Sequence, residues 1–145
     1  MKIVLQRVSR ASVVVDGNIT GSIDAGYVVL LGIGAEDDKS KVEKAVDKIQ
    51  KLRIFADNEG KTNLPITAVQ GGLLVISQFT LYADCRKGNR PSFTEAAPPD
   101  LAEKLYEYFI EYSQEKFDKV ESGVFGASMQ VELVNDGPFT VIIET

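Results

Sequence analysis

Four short apolar segments in the first quarter of the chain predict β-strands. Residues 3–8 and 12–15 are rich in β-branched side chains, residues 19–23 alternate between apolar and polar, and residues 27–33 form an apolar run. The sequence Asp-Gly-Asn at residues 16–18 is typical of a hairpin turn. The simplest arrangement of these segments is a four-strand antiparallel meander.

Two later segments have the hydrophobic period of an amphipathic helix. The first follows an acidic stretch at residues 34–38, which is typical of a helix start. Its apolar residues recur on one face, at Val42, Ala45, Val46, Ile49 and Leu52. The second covers residues 100–116, and its apolar stripe is Leu101, Leu105, Tyr108, Phe109 and Tyr112.

The rest of the chain predicts three more strands and two irregular segments. Residues 55–65 are polar and rich in turn formers, and residues 82–99 form a loop long enough to suggest a functional role. Residues 73–76 are continuously apolar, which is typical of a strand covered on both faces. Residues 129–134 and 139–144 predict two closing strands around a turn. The order of elements therefore indicates a single α/β domain over residues 1–145, in which a mixed, mostly antiparallel sheet carries two helices.

Composition narrows the function classes. The formal net charge of −5 argues against a general nucleic-acid binder, which would need a strongly basic face. No apolar run approaches the roughly 20 residues that cross a bilayer, and the N-terminus does not resemble a secretory signal. Cys85 is the only cysteine, which fits a reducing compartment, so we expect a cytoplasmic protein without membrane contact. The carboxylates show no metal-ligand spacing, and we expect neither a metal nor a cofactor.

The segment Ser77-Gln78-Phe79-Thr80-Leu81 is a candidate catalytic motif. As a continued strand it would place Ser77 and Phe79 on one face and Gln78 and Thr80 on the other. Such a strand end is either an ordinary exit from the core or a site in which the Thr80 hydroxyl faces a reacting carbonyl. The chain has no histidine, so the usual base for activating a hydroxyl is absent.

A second candidate motif is Asn135-Asp136-Gly137-Pro138. Asp-Gly between two strands is a hairpin signal, but Pro138 removes a backbone donor where the next strand should begin to pair. A cis Gly-Pro bond there would turn two carbonyl oxygens in one direction and create an acceptor site for an ammonium group, although the sequence does not fix the isomer. Arg7, among apolar neighbours, is either paired with a carboxylate or bound to backbone carbonyls.

One small basic cluster interrupts the acidic chain. Arg86, Lys87 and Arg90 lie within five residues in the long loop. The cluster is either a solvated loop or a phosphate-contact patch sufficient for the end of a nucleic acid. Cys85 lies beside it without a histidine partner and is not assigned a role.

Together these motifs resemble the D-aminoacyl-tRNA deacylase family of the bacterial and eukaryotic type, over essentially the whole chain. Members often carry a smaller apolar residue than Phe139 after the Gly-Pro pair. The matching segments are Arg7-Val8 with Ala11-Ser12-Val13, Ser77-Gln78-Phe79-Thr80-Leu81, Gly88-Asn89-Arg90-Pro91-Ser92-Phe93, Phe125-Gly126-Ala127 with Met129, and Asn135-Asp136-Gly137-Pro138.

The resemblance implies a barrel-like sheet and a homodimer that hydrolyses the ester between a D-amino acid and the terminal adenosine of tRNA. It implies that a cis Gly137-Pro138 peptide enters the partner's site, binds the substrate's α-amino group through its carbonyls and excludes L side chains. Glycyl-tRNA mischarged on tRNA(Ala) would also be admitted. It also implies that Arg7 holds the Gly-Pro segment and that Met129 completes the pocket. The adenosine and ester end would be lined by Ser77, Gln78, Phe79 and Thr80. The tRNA would be contacted by Arg86, Lys87 and Arg90.

Two mechanisms and two other functions stay open at this level. Either Thr80 attacks the ester, or the substrate's ribose 2′-hydroxyl assists attack by water; the second is preferred because the sequence offers Thr80 no base. The alternative functions are a related deacylase with a trans Gly-Pro peptide that clears mischarged L-alanine, and a non-catalytic dimeric binding module. The intact segment of residues 77–80 favours the D-specific enzyme.

Overall fold

The computed structural model describes residues 1–145, which form eight β-strands and two α-helices. The strands are β1 (Lys2–Val15), β2 (Asn18–Ile23), β3 (Gly26–Gly32), β4 (Arg53–Ala56), β5 (Thr62–Pro65), β6 (Gly72–Ser77), β7 (Val120–Ser122) and β8 (Gln130–Glu144). The helices are α1 (Lys39–Lys51) and α2 (Pro99–Gln114), and short 3₁₀ turns lie at Ile66–Val69 and Phe79–Tyr82. None of the helices is long and apolar enough to cross a membrane.

The long strand β1 replaces the first two strands of the expected meander. Ser9 and Arg10 are exposed and interrupt the apolar pattern, yet they stay in the strand. The reason is backbone pairing: β3 pairs with the first half of β1, β2 with the second half, and β8 with nearly its whole length. The expectation of two separate strands is wrong because Val8 and Arg10 both pair with β8, so the chain stays extended through Ser9, which lies at a shift in that register.

The strand β6 confirms the expectation of a strand covered on both faces. It lies parallel to β3 on one side and to β7 on the other. Leu73 and Val75 belong to the larger apolar cluster beneath the helices, while Leu74 and Ile76 belong to a second cluster on the opposite face. Because successive side chains of a strand point in opposite directions, alternate residues of β6 enter the two clusters, and both of its faces are buried.

The sheet curls until its two edges nearly meet. The strand order is β2-β1-β3-β6-β7, with β8 paired to β1, and β2 also packs against β7. A Cβ added to Gly21 on β2 would lie 2.9 Å from the carbonyl oxygen of Ser122 on β7, so the missing side chain permits this approach. The smaller apolar cluster, which includes Val8, Val13 and Val28, fills the interior. The expected mixed, barrel-like α/β fold is confirmed.

Both helices pack on the outer face of β3 and β6. In α1 the buried residues are Val42, Ala45, Val46 and Ile49, as expected from the spacing. In α2 the buried residues are Leu105, Tyr106, Phe109 and Ser113. Tyr108 and Tyr112, expected in the apolar stripe, are partly buried against the core, and their hydroxyls donate hydrogen bonds to Glu43 and Asp47 of α1. Their stripe faces the neighbouring helix because a phenolic hydroxyl needs a polar partner.

The polar segment after α1 is more regular than expected. Residues 53–65 form a hairpin, β4 and β5, which pair antiparallel around a tip at residues 57–61. The Asp57 carboxylate accepts hydrogen bonds from the Glu59 and Lys61 backbone N–H groups, both at 2.9 Å. The tip is therefore closed by its own side chain, as is typical of Asx turns.

Candidate active site

An apolar cavity of about 490 Å³ opens at the carboxyl end of β6. Eleven of its fifteen lining residues are hydrophobic. One wall is the end of β6 with the residues that follow it, Ser77, Gln78 and Phe79. The opposite walls are the start of α2 and residues 125–131. The volume lies within the range of about 300–1,000 Å³ common for small-molecule sites.

The chain leaves the sheet at Ser77 and turns along this cavity. The Gln78 N–H donates to the Leu31 carbonyl at 2.8 Å, and a 3₁₀ turn then begins at Phe79. The alternation of faces expected beyond Ser77 is therefore wrong, because backbone bonds inside a turn replace those of the ladder. Phe79 is 56% exposed, and its ring meets that of Phe93 edge-on at 5.1 Å.

The Thr80 hydroxyl is exposed and accepts a hydrogen bond from the Gln78 side-chain amide. An amide N–H donates and does not take up a proton, so this contact does not activate Thr80 as a nucleophile. Thr80 is next to the cavity in sequence but does not belong to its lining, whereas Ser77, Gln78, Phe79 and Met129 do. The polar side chains at the cavity are thus a hydroxyl and an amide, both neutral.

The second candidate motif is a bulge in one strand and not a turn between two. Thr140 pairs with Gln6 and Asn135 pairs with Val8, so residues 136–139 of β8 all lie opposite the single residue Arg7. We call residues 136–139 the Gly-Pro bulge. The expected pair of closing strands is wrong because both halves of β8 pair with the same strand, β1, in the same direction.

Side chains at the base of the Gly-Pro bulge fix its shape. The Asn135 carboxamide oxygen accepts the Phe139 N–H at 2.7 Å, and the Asn135 amide donates to Thr140 Oγ1 at 3.0 Å. The Gly137–Pro138 peptide bond is cis, and Gly137 has a φ of +144°. A Cβ at Gly137 would lie 2.9 Å from the Phe139 nitrogen and 3.3 Å from Arg7 Nη2. Position 137 therefore requires glycine.

Arg7 reaches the Gly-Pro bulge from the facing strand. Its Nε donates to the Asp136 carbonyl oxygen at 2.9 Å and lies 3.4 Å from the Asp136 carboxylate. Its Nη1 donates to the carbonyl of Ile54 on β4. Of the two environments left open by the sequence, the structure shows both: backbone carbonyls are the main partners, with a weaker carboxylate contact.

Within one chain the two motifs do not share a cavity. Arg7, Gly137 and Pro138 are absent from the lining of the cavity at β6. Gly137 and Pro138 are exposed on the surface of the chain. The structure thus brings Ser77, Gln78, Phe79 and Met129 together, and separately brings Arg7 to the Gly-Pro bulge.

The basic cluster lies on an exposed loop, and its members differ in their contacts. The Arg86 guanidinium forms a two-pronged ion pair with the Asp84 carboxylate, with both N–O distances at 2.8 Å. Hydrogen bonds from Arg86 hold the pKa of Asp84 below its ordinary value. Lys87 and Arg90 are exposed and form no ion pair. Only these two cations are free of a protein partner within the cluster.

The sequence alone assigned no role to two parts of the site, the Asn135 side chain and the alanines at residues 96 and 97. Asn135 holds the base of the Gly-Pro bulge, and its Asx-type bond is typical of asparagine before a turn, so the residue type was an available signal. The second is the approach of Ala96 and Ala97 to the cavity, through the Ala97 N–H bond to the Ile33 carbonyl at 2.9 Å. Small apolar residues in a loop carry no such signal. No three His, Cys, Asp or Glu side chains lie close enough together to hold a metal ion.

Known proteins match this chain over nearly its whole length. The model of the D-Tyr-tRNA(Tyr) deacylase family matches residues 4–144. A D-aminoacyl-tRNA deacylase of Thermosipho africanus is 52% identical over 145 residues, which are 100% of this chain and 97% of that protein. The chain belongs to the D-Tyr-tRNA(Tyr) deacylase family. The family assignment made from the motifs is thereby confirmed, and so is the expectation that the chain is an enzyme, a deacylase.

Solved structures extend the likeness to the fold. The structure of the c-Myc DNA Unwinding Element Binding Protein is 42% identical, with a TM-score of 0.94 and coverage of 100% of this chain and 99% of that one. A probable eukaryotic D-amino acid tRNA deacylase has a TM-score of 0.87 at 15% identity, with coverage of 98% and 97%. The deacylase fold is therefore retained even where little of the sequence is shared.

Proposed function

We propose that this deacylase hydrolyses the ester between a D-amino acid and the 3′-terminal adenosine of tRNA, and so acts in chiral proofreading of translation. Water adds to the ester carbonyl, the bond to the ribose oxygen breaks, and that oxygen takes a proton. The products are the free D-amino acid and tRNA. The observation that carries the proposal is an apolar cavity edged by Ser77 and Gln78, together with a Gly-Pro bulge braced by Arg7, in a chain of this family.

The cavity at β6 is proposed to hold the terminal adenosine and the ester. Its apolar walls, with the Met129 side chain and the partly exposed Phe79 ring, suit a flat heterocycle. Ser77 and Gln78 then place a hydroxyl and an amide at the ester end. Neutral donors in a partly closed site stabilise the negative charge that develops on the carbonyl oxygen during attack.

For the chemical step we propose attack by water assisted by the substrate's own 2′-hydroxyl. The alternative is attack by Thr80, whose hydroxyl accepts a bond from Gln78 and contacts no carboxylate or amine. When the enzyme holds the substrate, its ribose 2′-hydroxyl lies next to the ester, and this proximity raises the rate of hydrolysis. In this scheme the enzyme contributes position and oxyanion stabilisation, and Thr80 contributes by orienting Gln78.

We propose that the active form is a homodimer in which the Gly-Pro bulge of one protomer reaches the cavity of the other. Two facts support this arrangement: the bulge is exposed, and the cavity of its own chain does not include it. The carbonyl groups of Gly137 and Pro138 would bind the substrate's α-ammonium group. With the ammonium and the ester both fixed, the side chains of a D- and an L-amino acid point in different directions from the α-carbon, and an L side chain would clash with the bulge. Glycine has no side chain, and glycyl-tRNA mischarged on tRNA(Ala) would be accepted.

The tRNA is proposed to contact the exposed loop of residues 84–92 near its acceptor end. Lys87 and Arg90 are available for phosphates, and Arg86 takes part once it exchanges Asp84 for a phosphate. A chain with a formal net charge of −5 fits a protein that touches only a short part of the nucleic acid.

The decisive experiment compares D-tyrosyl-tRNA, L-tyrosyl-tRNA and L-alanyl-tRNA as substrates of the purified protein without added metal. We expect rapid loss of the D ester and no loss of the L ester beyond the uncatalysed rate. Cleavage of L-alanyl-tRNA instead would indicate the related L-clearing activity. Inertness toward all three esters, with retained tRNA binding, would indicate a binding module and overturn the proposal.

A further inference from the structure

Arg7 connects two distant segments through its guanidinium group. Its Nε donates to the carbonyl of Asp136 in the Gly-Pro bulge, and its Nη1 donates to the carbonyl of Ile54 on β4. Only 13% of the Arg7 side chain is exposed. The arginine therefore joins the Gly-Pro bulge to the β4–β5 hairpin.

Two phenylalanine rings lie against this guanidinium. Its central carbon is 5.0 Å from the centroid of the Phe139 ring and 5.9 Å from that of the Phe55 ring. Both distances fall within the roughly 6 Å over which the negative face of an aromatic ring attracts a cation. Phe139 directly follows Pro138, so the ring that contacts Arg7 belongs to the segment that Arg7 holds.

The Phe55 ring is itself fixed by the core. It is 7% exposed and stacks on the fully buried Tyr27 ring, with centroids 5.2 Å apart and planes 25° apart. Tyr27 in turn pairs with Arg7 across the β1–β3 ladder. Phe55 thus presents Arg7 with a rigid face, while Phe139 is only partly buried and belongs to the bulge.

We propose that Phe55 and Phe139 are positioning residues, which act through Arg7 to fix the direction of the Gly137 and Pro138 carbonyls. The proposal rests on the proposed substrate-binding role of the Gly-Pro bulge. Two carbonyls fix the ends of the guanidinium, and the rings fix the orientation of its plane. Loss of a ring lets that plane rotate, so the Asp136 carbonyl loses a constantly oriented donor and the bulge shifts.

The first test compares Phe139→Leu with Phe139→Tyr. Leucine keeps apolar bulk without an aromatic face, and we expect kcat/KM for D-tyrosyl-tRNA to fall about tenfold, with a similar fall in the ratio of D to L rates. Tyrosine keeps the ring, and we expect activity within about twofold of the original. Equal activity of all three proteins, or equal loss in both variants, would overturn the proposal.

A matched pair separates positioning from packing. Phe55 and Phe117 are each 7% exposed, so Phe55→Leu and Phe117→Leu remove comparable buried rings, but only Phe55 contacts Arg7. We expect both to lower the melting temperature and only Phe55→Leu to lower the D to L ratio. In an Arg7→Lys background, Phe139→Leu should add little, because the rings act through the guanidinium. Additive losses would contradict the proposal.

A measurement without substrate keeps this inference apart from the proposed function. The Arg7 Nε–H signal in ¹⁵N NMR, assigned by its absence in Arg7→Lys, should exchange slowly with solvent in the original protein. We expect exchange to be about tenfold faster in Phe139→Leu and unchanged in Phe117→Leu. If the original protein cleaves no ester, the proposed function fails, and this signal still decides whether the rings hold Arg7. Identical exchange in all proteins would refute the positioning role.

Discussion

Replacing Asp37 by asparagine tests a buried charge network beside the candidate active site. The Asp37 side chain is 2% exposed and accepts from three donors: the Met1 α-ammonium at 2.7 Å, the Gly34 N–H at 2.7 Å and Lys41 Nζ at 3.0 Å. Gly34 forms a backbone bridge to Ala96, which lines the cavity. The network therefore supports the loop that carries one wall of the site.

The magnitude follows from what asparagine can keep. Its one carbonyl oxygen can accept from either the ammonium or Gly34, and its amide then faces the other donor, which loses its partner. A lost hydrogen bond to a charged group costs about 1.5–3 kcal/mol, and breaking a buried ion pair costs about 3–5 kcal/mol. The Lys41 side chain is 32% exposed, so its share is small. We expect a loss of about 3 kcal/mol in the free energy of unfolding at pH 7, and a melting temperature lower by roughly 10 °C.

The same network predicts how the loss depends on pH. Burial raises the pKa of Asp37, but hydrogen bonds from the Met1 ammonium, Gly34 and Lys41 outweigh burial, and the pKa lies below its ordinary value. The folded pKa is depressed, so this stabilisation is present above the unfolded pKa of about 3.9 and is lost as pH falls through the folded pKa. The gap between the original protein and Asp37→Asn should therefore close in acid.

Urea unfolding followed by circular dichroism, between pH 7 and pH 3, measures both effects. Asp38→Asn is the matched control, because Asp38 is the exposed N-cap of α1 and asparagine also caps helices well. We expect that control to lose less stability than Asp37→Asn. A gap below about 1 kcal/mol at pH 7, or a gap that stays constant into acid, would refute the reasoning.

Three further predictions concern the reaction. Thr80→Ala should keep the single-turnover rate constant for hydrolysis of D-tyrosyl-tRNA within about tenfold of the original, because no base contacts the Thr80 hydroxyl. A loss of three orders of magnitude or more would favour attack by Thr80. Gly137→Ala should lower kcat/KM for the D ester by about 100-fold, because a Cβ meets backbone at a φ of +144°, and equal kinetics would remove the bulge from the mechanism. Lys87→Ala with Arg90→Ala should raise the Kd for tRNA and flatten its salt dependence, whereas Arg86→Ala should change both less, because Arg86 is paired with Asp84; filter binding at several salt concentrations distinguishes them.

Much of the fold could be predicted because its signals are local. The spacing of apolar residues indicated α1 and α2, and the continuous apolar run indicated β6 with both faces buried. The hairpin β4–β5 and the continuity of β1 could not be predicted in this way. The exposed Arg10 pairs with Val134 of β8, and Ser9 lies between two residues that pair with this strand. Such pairing keeps the segment extended and leaves no trace in side-chain hydrophobicity.

The candidate site, too, could be predicted from the sequence only in part. Ser77 and Gln78 were expected at a strand end, and they lie there at the edge of a cavity. The 3₁₀ turn that ends the alternation at Phe79 was not expected, because Phe and Thr are also common in strands. The pairing of Thr80 with Gln78 depends on that turn.

The order of residues established which chemical groups are present: no histidine, a hydroxyl and an amide after a buried strand, and a Gly-Pro pair between apolar segments. Which of these groups face one another depends on the folded chain. Arg7 meets Asp136 across 129 residues of chain because both halves of β8 pair with β1 and leave residues 136–139 opposite a single position. Side-chain alternation determines which face of a strand each residue occupies, but backbone bonds between distant segments determine the register of two strands. The Gly-Pro bulge interrupts the register of β1 and β8 at the position of Arg7, and this places the arginine beside it.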